Sequence, residues 1–142
     1  MKKNALLLIF LFTIYGLQAQ KIDISRVPSA ITKDFNIKFP SVSKVKWERT
    51  ETLFFARFMI YGKGVDVTYE LDGNWVETMT EISLKDLPAE VITGISNIFD
   101  NTAKIKTAAK IETATNEILY VVRLRYNGKN KEVTLNEKGS IV

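Results

Sequence analysis

Apolar residues return every fourth position from Val27 through Ile31 and Phe35 to Phe39, and again from Leu87 through Val91 and Ile95 to Phe99. A period close to four places them along one side of a helix. Pro28 stands where a first-turn proline is tolerated, and Pro40 prevents the first helix from continuing. Ile92 and Ile98 widen the second stripe. One-faced helices of this kind bury their stripe on another layer, so both are expected to lie on a sheet.

After each helix the period drops to two, the mark of half-buried strands. Val45 and Trp47 alternate with Lys44, Lys46 and Glu48; Phe54, Ala56, Phe58 and Ile60 form the next strand; Val65, Val67, Tyr69 and Leu71 follow a tight turn at Gly62-Lys63-Gly64. Asp72-Gly73 reads as a hairpin turn into a strand from Trp75 to Ile82. Past the second helix the expected strands are 104–112, 118–126, 131–136 and 140–142, with a turn at Asn127-Gly128. Strands joined by such short turns must be antiparallel. The pattern predicts an α+β domain of two four-stranded antiparallel meanders, joined edge to edge, with both helices on one face.

The two stretches echo one another. Val27-Pro28-Ser29-Ala30-Ile31 matches Leu87-Pro88-Ala89-Glu90-Val91 at an offset of 60, and Gly62-Lys63, Val67-Thr68 and Gly73 match Gly128-Lys129, Val133-Thr134 and Gly139 at an offset of 66. Fixed offsets over so much of the chain predict a tandem duplication, with repeats at 27–82 and 87–142.

The N-terminus changes the compartment. Lys2 and Lys3, an apolar run from Ala5 to Tyr15, and the small residue Ala19 have the layout of a secretory signal peptide, residues 1–19, cleaved after Ala19. The run is too short to span a bilayer as a helix, so no membrane anchor is expected after cleavage. With no cysteine in the chain, a lipid-modified cysteine and disulfides are both ruled out. The 20 basic residues fall to 18 without Lys2 and Lys3, against 16 acidic ones, a net charge of +2 for residues 20–142. The bases are interleaved with acids and form no run, which argues against nucleic acid as a partner.

Val-Pro-x-Ala-Ile, then Phe35, Lys38-Phe39-Pro40, Val45-Lys46-Trp47 and Asp72-Gly73-Asn74-Trp75, resembles the PepSY-like domains described as "putative beta-lactamase-inhibitor-like". The likeness runs from Val27 to Val142. The second copy departs from the motif, with Phe99-Asp100 for Phe-Pro and Ile111 near the place of Trp47. The resemblance implies an exported α+β protein whose fold is similar to that of tandem-repeat inhibitors of a secreted hydrolase. Such inhibitors grasp an enzyme with the exposed face of a sheet and with hairpin loops. None of their enzyme-contacting residues has a matching motif here.

Chemistry is sparse. The chain has no histidine and no cysteine, which removes the commonest metal ligands, the usual neutral-pH acid/base and the thiol nucleophile. No phosphate loop, Gly-x-Ser-x-Gly or paired-acid motif is present, and Ser29, Ser41, Ser43, Ser83, Ser96 and Ser140 fall where capping or turns explain them. The expectation is a non-enzyme with no cofactor and no metal.

A surface remains. If Phe54, Ala56, Phe58 and Ile60 face the helix, pleating sends Leu53, Phe55, Arg57, Met59 and Tyr61 to the reverse side. The offset adds Leu119, Val121, Arg123 and Arg125. Aromatic, Met and Arg side chains are enriched at protein interfaces. Phe55, Arg57, Met59, Tyr61, Val121, Arg123 and Arg125 are therefore the candidate partner-binding residues, the partner being a protein or peptide. Trp47 and Trp75 read as packing residues, and Lys44 and Lys46 as a solvated strand face. A carrier of a small apolar ligand, which requires an enclosed cavity, and a self-associating envelope component are the competing classes. The oligomeric state is left open.

Overall fold

A computed structural model describes residues 19–142. The expected signal peptide, apart from Ala19, lies outside the described residues. The fold is α+β, with eight strands in a single antiparallel sheet whose spatial order is the order of the chain. The elements are β1 (Gln20–Ile22), α1 (Ser29–Lys38), β2 (Lys46–Arg49), β3 (Leu53–Ile60), β4 (Lys63–Glu70), β5 (Trp75–Ile82), α2 (Ala89–Phe99), β6 (Lys104–Thr113), β7 (Ile118–Tyr126) and β8 (Lys129–Asn136). Short 3-10 turns at Ile24–Arg26 and Leu84–Asp86 lead into the helices.

Both helices start at a proline that caps with its carbonyl. Pro28 accepts from the amides of Ile31 and Thr32, and Pro88 from those of Val91 and Ile92. A proline has no amide of its own to leave unsatisfied at a helix start, so the position is well used. α1 stops at Lys38, two residues before Pro40. α2 stops at Phe99, and Asp100 after it turns the chain with a positive φ of 58°.

The helical stripes account for two cores. Val27, Ile31 and Phe35 are buried with Trp47, Phe54, Ala56, Phe58, Val65, Val67 and Tyr69. Leu87, Val91 and Ile95 are buried with Ala108, Tyr120, Val122, Leu124, Val133 and Leu135. Phe35 sits at the centre of the first core, with ring centroids 5.3 Å from Trp47 and from Phe58 and 5.2 Å from Phe39. Edge-on aromatic pairs such as Phe35 with Trp47 and with Phe58 contribute about 0.5–1.5 kcal/mol each beyond the area they bury. Ile92 and Ile98, expected in the buried stripe, are exposed instead. α2 needs only the Val91 and Ile95 line, with Gly94 beside it, to meet the sheet.

Strand pairing gives each residue a side. Directly opposed residues in an antiparallel sheet share a face. One cross-sheet row reads Phe58, Val65, Thr80, Lys110, Tyr120 and Leu135, and so contains members of both cores. The next row reads Lys46, Arg57, Asp66, Met79, Ile111, Leu119 and Asn136, on the reverse side.

Two edges differ from the sequence expectation. β1 is an additional strand, paired with β2 so that Ile22 faces Trp47; three residues with one apolar position carry no readable alternation. At the other end, 140–142 is no strand. Ile141 makes an isolated bridge to Leu135, and the Val142 amide donates to the Thr134 carbonyl at 3.1 Å.

Equivalent bonds recur in the two halves. The Arg26 and Val27 amides donate to Asp23 and Ile24, and the Asp86 and Leu87 amides to Ser83 and Leu84. At the hairpin after β4 the Glu70 and Gly73 amides donate to Asn74 and Glu70; after β8 the Asn136 and Gly139 amides donate to Ser140 and Asn136.

Candidate functional site

The β3–β4 hairpin fixes one end of the site. Ile60 pairs with Lys63 and Tyr126 with Lys129, which leaves two-residue turns at Tyr61-Gly62 and Asn127-Gly128. All four turn residues have positive φ, 49° and 74° in the first turn and 50° and 73° in the second, as a type I′ turn requires. Asn and Gly suit that region; a tyrosine there costs on the order of 1 kcal/mol. The first turn thus begins one residue earlier than Gly62-Lys63-Gly64, and Tyr61 is no member of the strand row. It stands at the hairpin tip, 100% exposed.

Phe55 also departs from the surface expectation. It is only 5% exposed, between Glu48 on β2 and Thr68 on β4, both buried as well. Being on the side opposite Phe54, Ala56 and Phe58 does not make a residue accessible in the middle of a wide sheet, where the side chains of adjacent strands cover it. Leu119, Ile111 and Phe55 all lie buried there. Met59 is 63% exposed, Arg57 and Val121 are half-buried, and Arg123 and Arg125 are exposed.

Arg57 is clamped between acids. Its Nη1 lies 3.1 Å from Glu48 Oε2 and its Nε 3.4 Å from Asp66 Oδ1, while Lys46 Nζ approaches Glu48 Oε1 at 2.8 Å. Arg123 makes the corresponding bond in the second half, Nε to Glu132 Oε2 at 2.6 Å. Desolvation raises the Asp66 carboxyl above its ordinary pKa, opposed by Arg57 and reinforced by Glu48. Burial alone raises Glu77 on the same face. Charges held this way present a fixed pattern rather than flexible ends.

Lys46, Arg57, Asp66 and Arg123 line an open groove of about 540 Å³ on the reverse side of the sheet, to which Arg57 and Met59 contribute from the first half and Arg123 from the second, with Met79 and Glu81 between them. A second groove, of about 1020 Å³, lies at the end of the first half between the 39–45 loop and the β3–β4 hairpin; Lys46, Arg57 and Met59 line both, and Tyr61 the second. The structure thus brings Arg57, Met59 and Arg123 together and leaves Val121 and Arg125 outside both linings. Lys21, not singled out by sequence, and Lys44, read there only as part of a solvated strand face, line the second groove.

Among the described residues no cluster of three or more metal-ligating side chains occurs, and no helix is long and apolar enough to cross a membrane.

Three solved structures share this architecture. A "BLIP-like protein" from Bacteroides fragilis is 23% identical, with 81% of this chain and 82% of that one covered and a TM-score of 0.67. A DUF2874 family protein from Bacteroides ovatus is 18% identical over 81% and 84%, with a TM-score of 0.71. A chain described as a putative periplasmic protein from Bacteroides eggerthii is 15% identical over 82% and 86%, with a TM-score of 0.73. At these identities the likeness is one of fold. No curated protein matches the chain. The family model described as "Putative beta-lactamase-inhibitor-like, PepSY-like" matches residues 56–142. That span holds Asp72-Gly73-Asn74-Trp75 and the whole second half, whereas Lys38-Phe39-Pro40 and Trp47 precede it. With more than half of its length matched, the chain belongs to the PepSY-like, beta-lactamase-inhibitor-like family.

Proposed function

We propose that this chain is an exported, non-catalytic binding module that recognises a protein or peptide through the sheet face opposite its helices. It is a tandem duplication with both helices on one side, a reading supported by the recurrence of equivalent hydrogen bonds at offsets of 60 and 66. Support for the helix placement comes from the row that joins Phe58 and Val65 of one core to Tyr120 and Leu135 of the other. The observation that carries the functional reading is the shared groove, in which Arg57, Met59 and Arg123 from the two halves line one concavity. Arg and Met are common at interface centres. Inhibition of an exported hydrolase is one version, suggested by the family's name and by the "BLIP-like" relative. Export is supported by the N-terminal signal layout and by the relative described as periplasmic.

The test is capture of partners from envelope and culture-supernatant fractions by the full chain, repeated with Arg123→Glu and Met59→Asp. Loss of the same captured species in both variants, at an unchanged unfolding temperature, supports the reading; undiminished capture overturns it. N-terminal sequencing of the exported product should start at Gln20, and a start at Met1 ends the export claim. Titration into purified exported hydrolases, beta-lactamases included, should suppress turnover stoichiometrically if inhibition is the role.

A further inference from the structure

The groove at the end of the first half is lined by charge of one sign. Five cations line it, Lys21, Lys38, Lys44, Lys46 and Arg57, and no carboxylate does. Three of the five are already paired, Lys38 with Asp34, Lys46 with Glu48, and Arg57 with Glu48 and Asp66. Lys21 and Lys44 make no ion pair with a described residue, so the groove keeps an uncompensated positive charge. Its floor and rim are apolar, with Phe39, Phe58 and Met59 among the lining.

Over this groove stands Tyr61, fully exposed and held in the left-handed region. The equivalent place in the second half is Asn127, the residue type that fits such a turn, and the place of Met59 is taken by Arg125. The loop there also differs. Asp100 replaces Pro40 and holds the Thr102 amide and hydroxyl, putting a carboxylate where the first half has none. The first half thus keeps a tyrosine against the turn's own preference, beside an exposed methionine and two unpaired lysines. A strained exposed aromatic is a pointer to use.

We infer that this groove binds an acidic peptide segment of a protein partner, with carboxylates meeting Lys21 and Lys44 and an adjoining aromatic or aliphatic side chain packing on Met59 and Tyr61. The inference rests on the reading of the chain as a protein or peptide binder and names the partner's chemistry at one end of that surface. Tyrosine supplies a large rigid contact, and paired charges supply register and selection against basic segments.

The test is selection of random displayed peptides on the full chain, followed by anisotropy titration of a labelled selected peptide. Selected sequences should be rich in Asp and Glu beside aromatic or aliphatic residues. Their affinity should fall about tenfold with Tyr61→Asn and with Lys44→Glu, and fall again at high salt. Lys131→Glu, on β8 outside both grooves, should leave it unchanged. Tyr61→Asn places the favoured residue in the turn, so its unfolding temperature should not drop. Selection without acidic enrichment overturns the inference, as does affinity indifferent to both groove variants. Peptides that respond only to Arg123→Glu would remove the groove assignment while leaving the open-face reading in place.

Discussion

The two halves solve one packing problem with different chemistry. In the first, α1 is held against the hairpin after β4 by a side-chain bridge: Tyr69 Oη donates to Asp34 Oδ2 at 2.8 Å, and Lys38 lies 4.2 Å from the Trp75 ring centre. In the second, Leu135 and Gly94 occupy the places of Tyr69 and Asp34, and the backbone of α2 comes directly against the turn at Gly139. Half of the first core's buried residues are aromatic, while the second core is aliphatic apart from Tyr120 and the partly buried Phe99 and Tyr126. The difference teaches that the approach of a helix to the neighbouring turn is set locally, by whether two glycines permit backbone contact or side chains stand between.

The largest effect expected from breaking this comparison is at Gly94. A Cβ there would run into the Gly139 carbonyl, a backbone atom that cannot swing aside, so Gly94→Ala should cost about 3 kcal/mol by urea unfolding. Asp34→Ala, at the equivalent position, should cost clearly less, since that site already holds a side chain. Equal costs would show that the two helices are seated alike.

A smaller loss is expected from Tyr69→Phe. The ring stays, but a buried donor to a charged acceptor goes, which costs about 1–2 kcal/mol. Burial, with the Asp34 carboxylate as acceptor, drives the Tyr69 pKa upward, so the phenol keeps its proton and its donor role to higher pH than an ordinary tyrosine. No loss on removing the hydroxyl would mean that α1 is held by apolar packing alone.

The smallest effect concerns Glu77 on the reverse face. Its carboxyl is raised above the ordinary 4.5 by burial, so the folded chain binds this proton more tightly than the unfolded one. The group's contribution is greatest below 4.5 and is lost as pH rises through the raised folded value. Glu77→Gln should therefore raise the unfolding temperature at neutral pH by about 2 °C and leave it unchanged in acid. An equal shift at both pH values would sink the explanation.

Much of this was legible in the chain. The fourfold stripes of Val27, Ile31 and Phe35 and of Leu87, Val91 and Ile95 locate both helices and both cores, because burial alone selects those positions. Asn127-Gly128 announces its turn, since both residues suit positive φ. Tyr61-Gly62 does not, because tyrosine carries no such preference; only the offset of 66 onto Asn127-Gly128 reveals it. β1 is too short to show a period, and its strand state comes from pairing with β2. The burial of Phe55 is not legible in its strand, because alternation reports the side of a sheet and says nothing about how deep in it a residue sits. The grouping of Lys21 with Lys44 is not legible in the chain, because the two are distant in sequence and come together only when β1 is added beside β2.

Since each strand borders only those next to it in the chain, the architecture is open-ended. Among the described residues no strand pairs with the outer side of β8 from Lys129 to Val133, beyond the short Ile141 bridge, and another helix-and-strand module fused there could lengthen the layer without rewiring any existing connection. Gene-level concatenation is thus an inexpensive route for this scaffold to broaden its concave surface, much as stacked-repeat proteins gain reach one unit at a time.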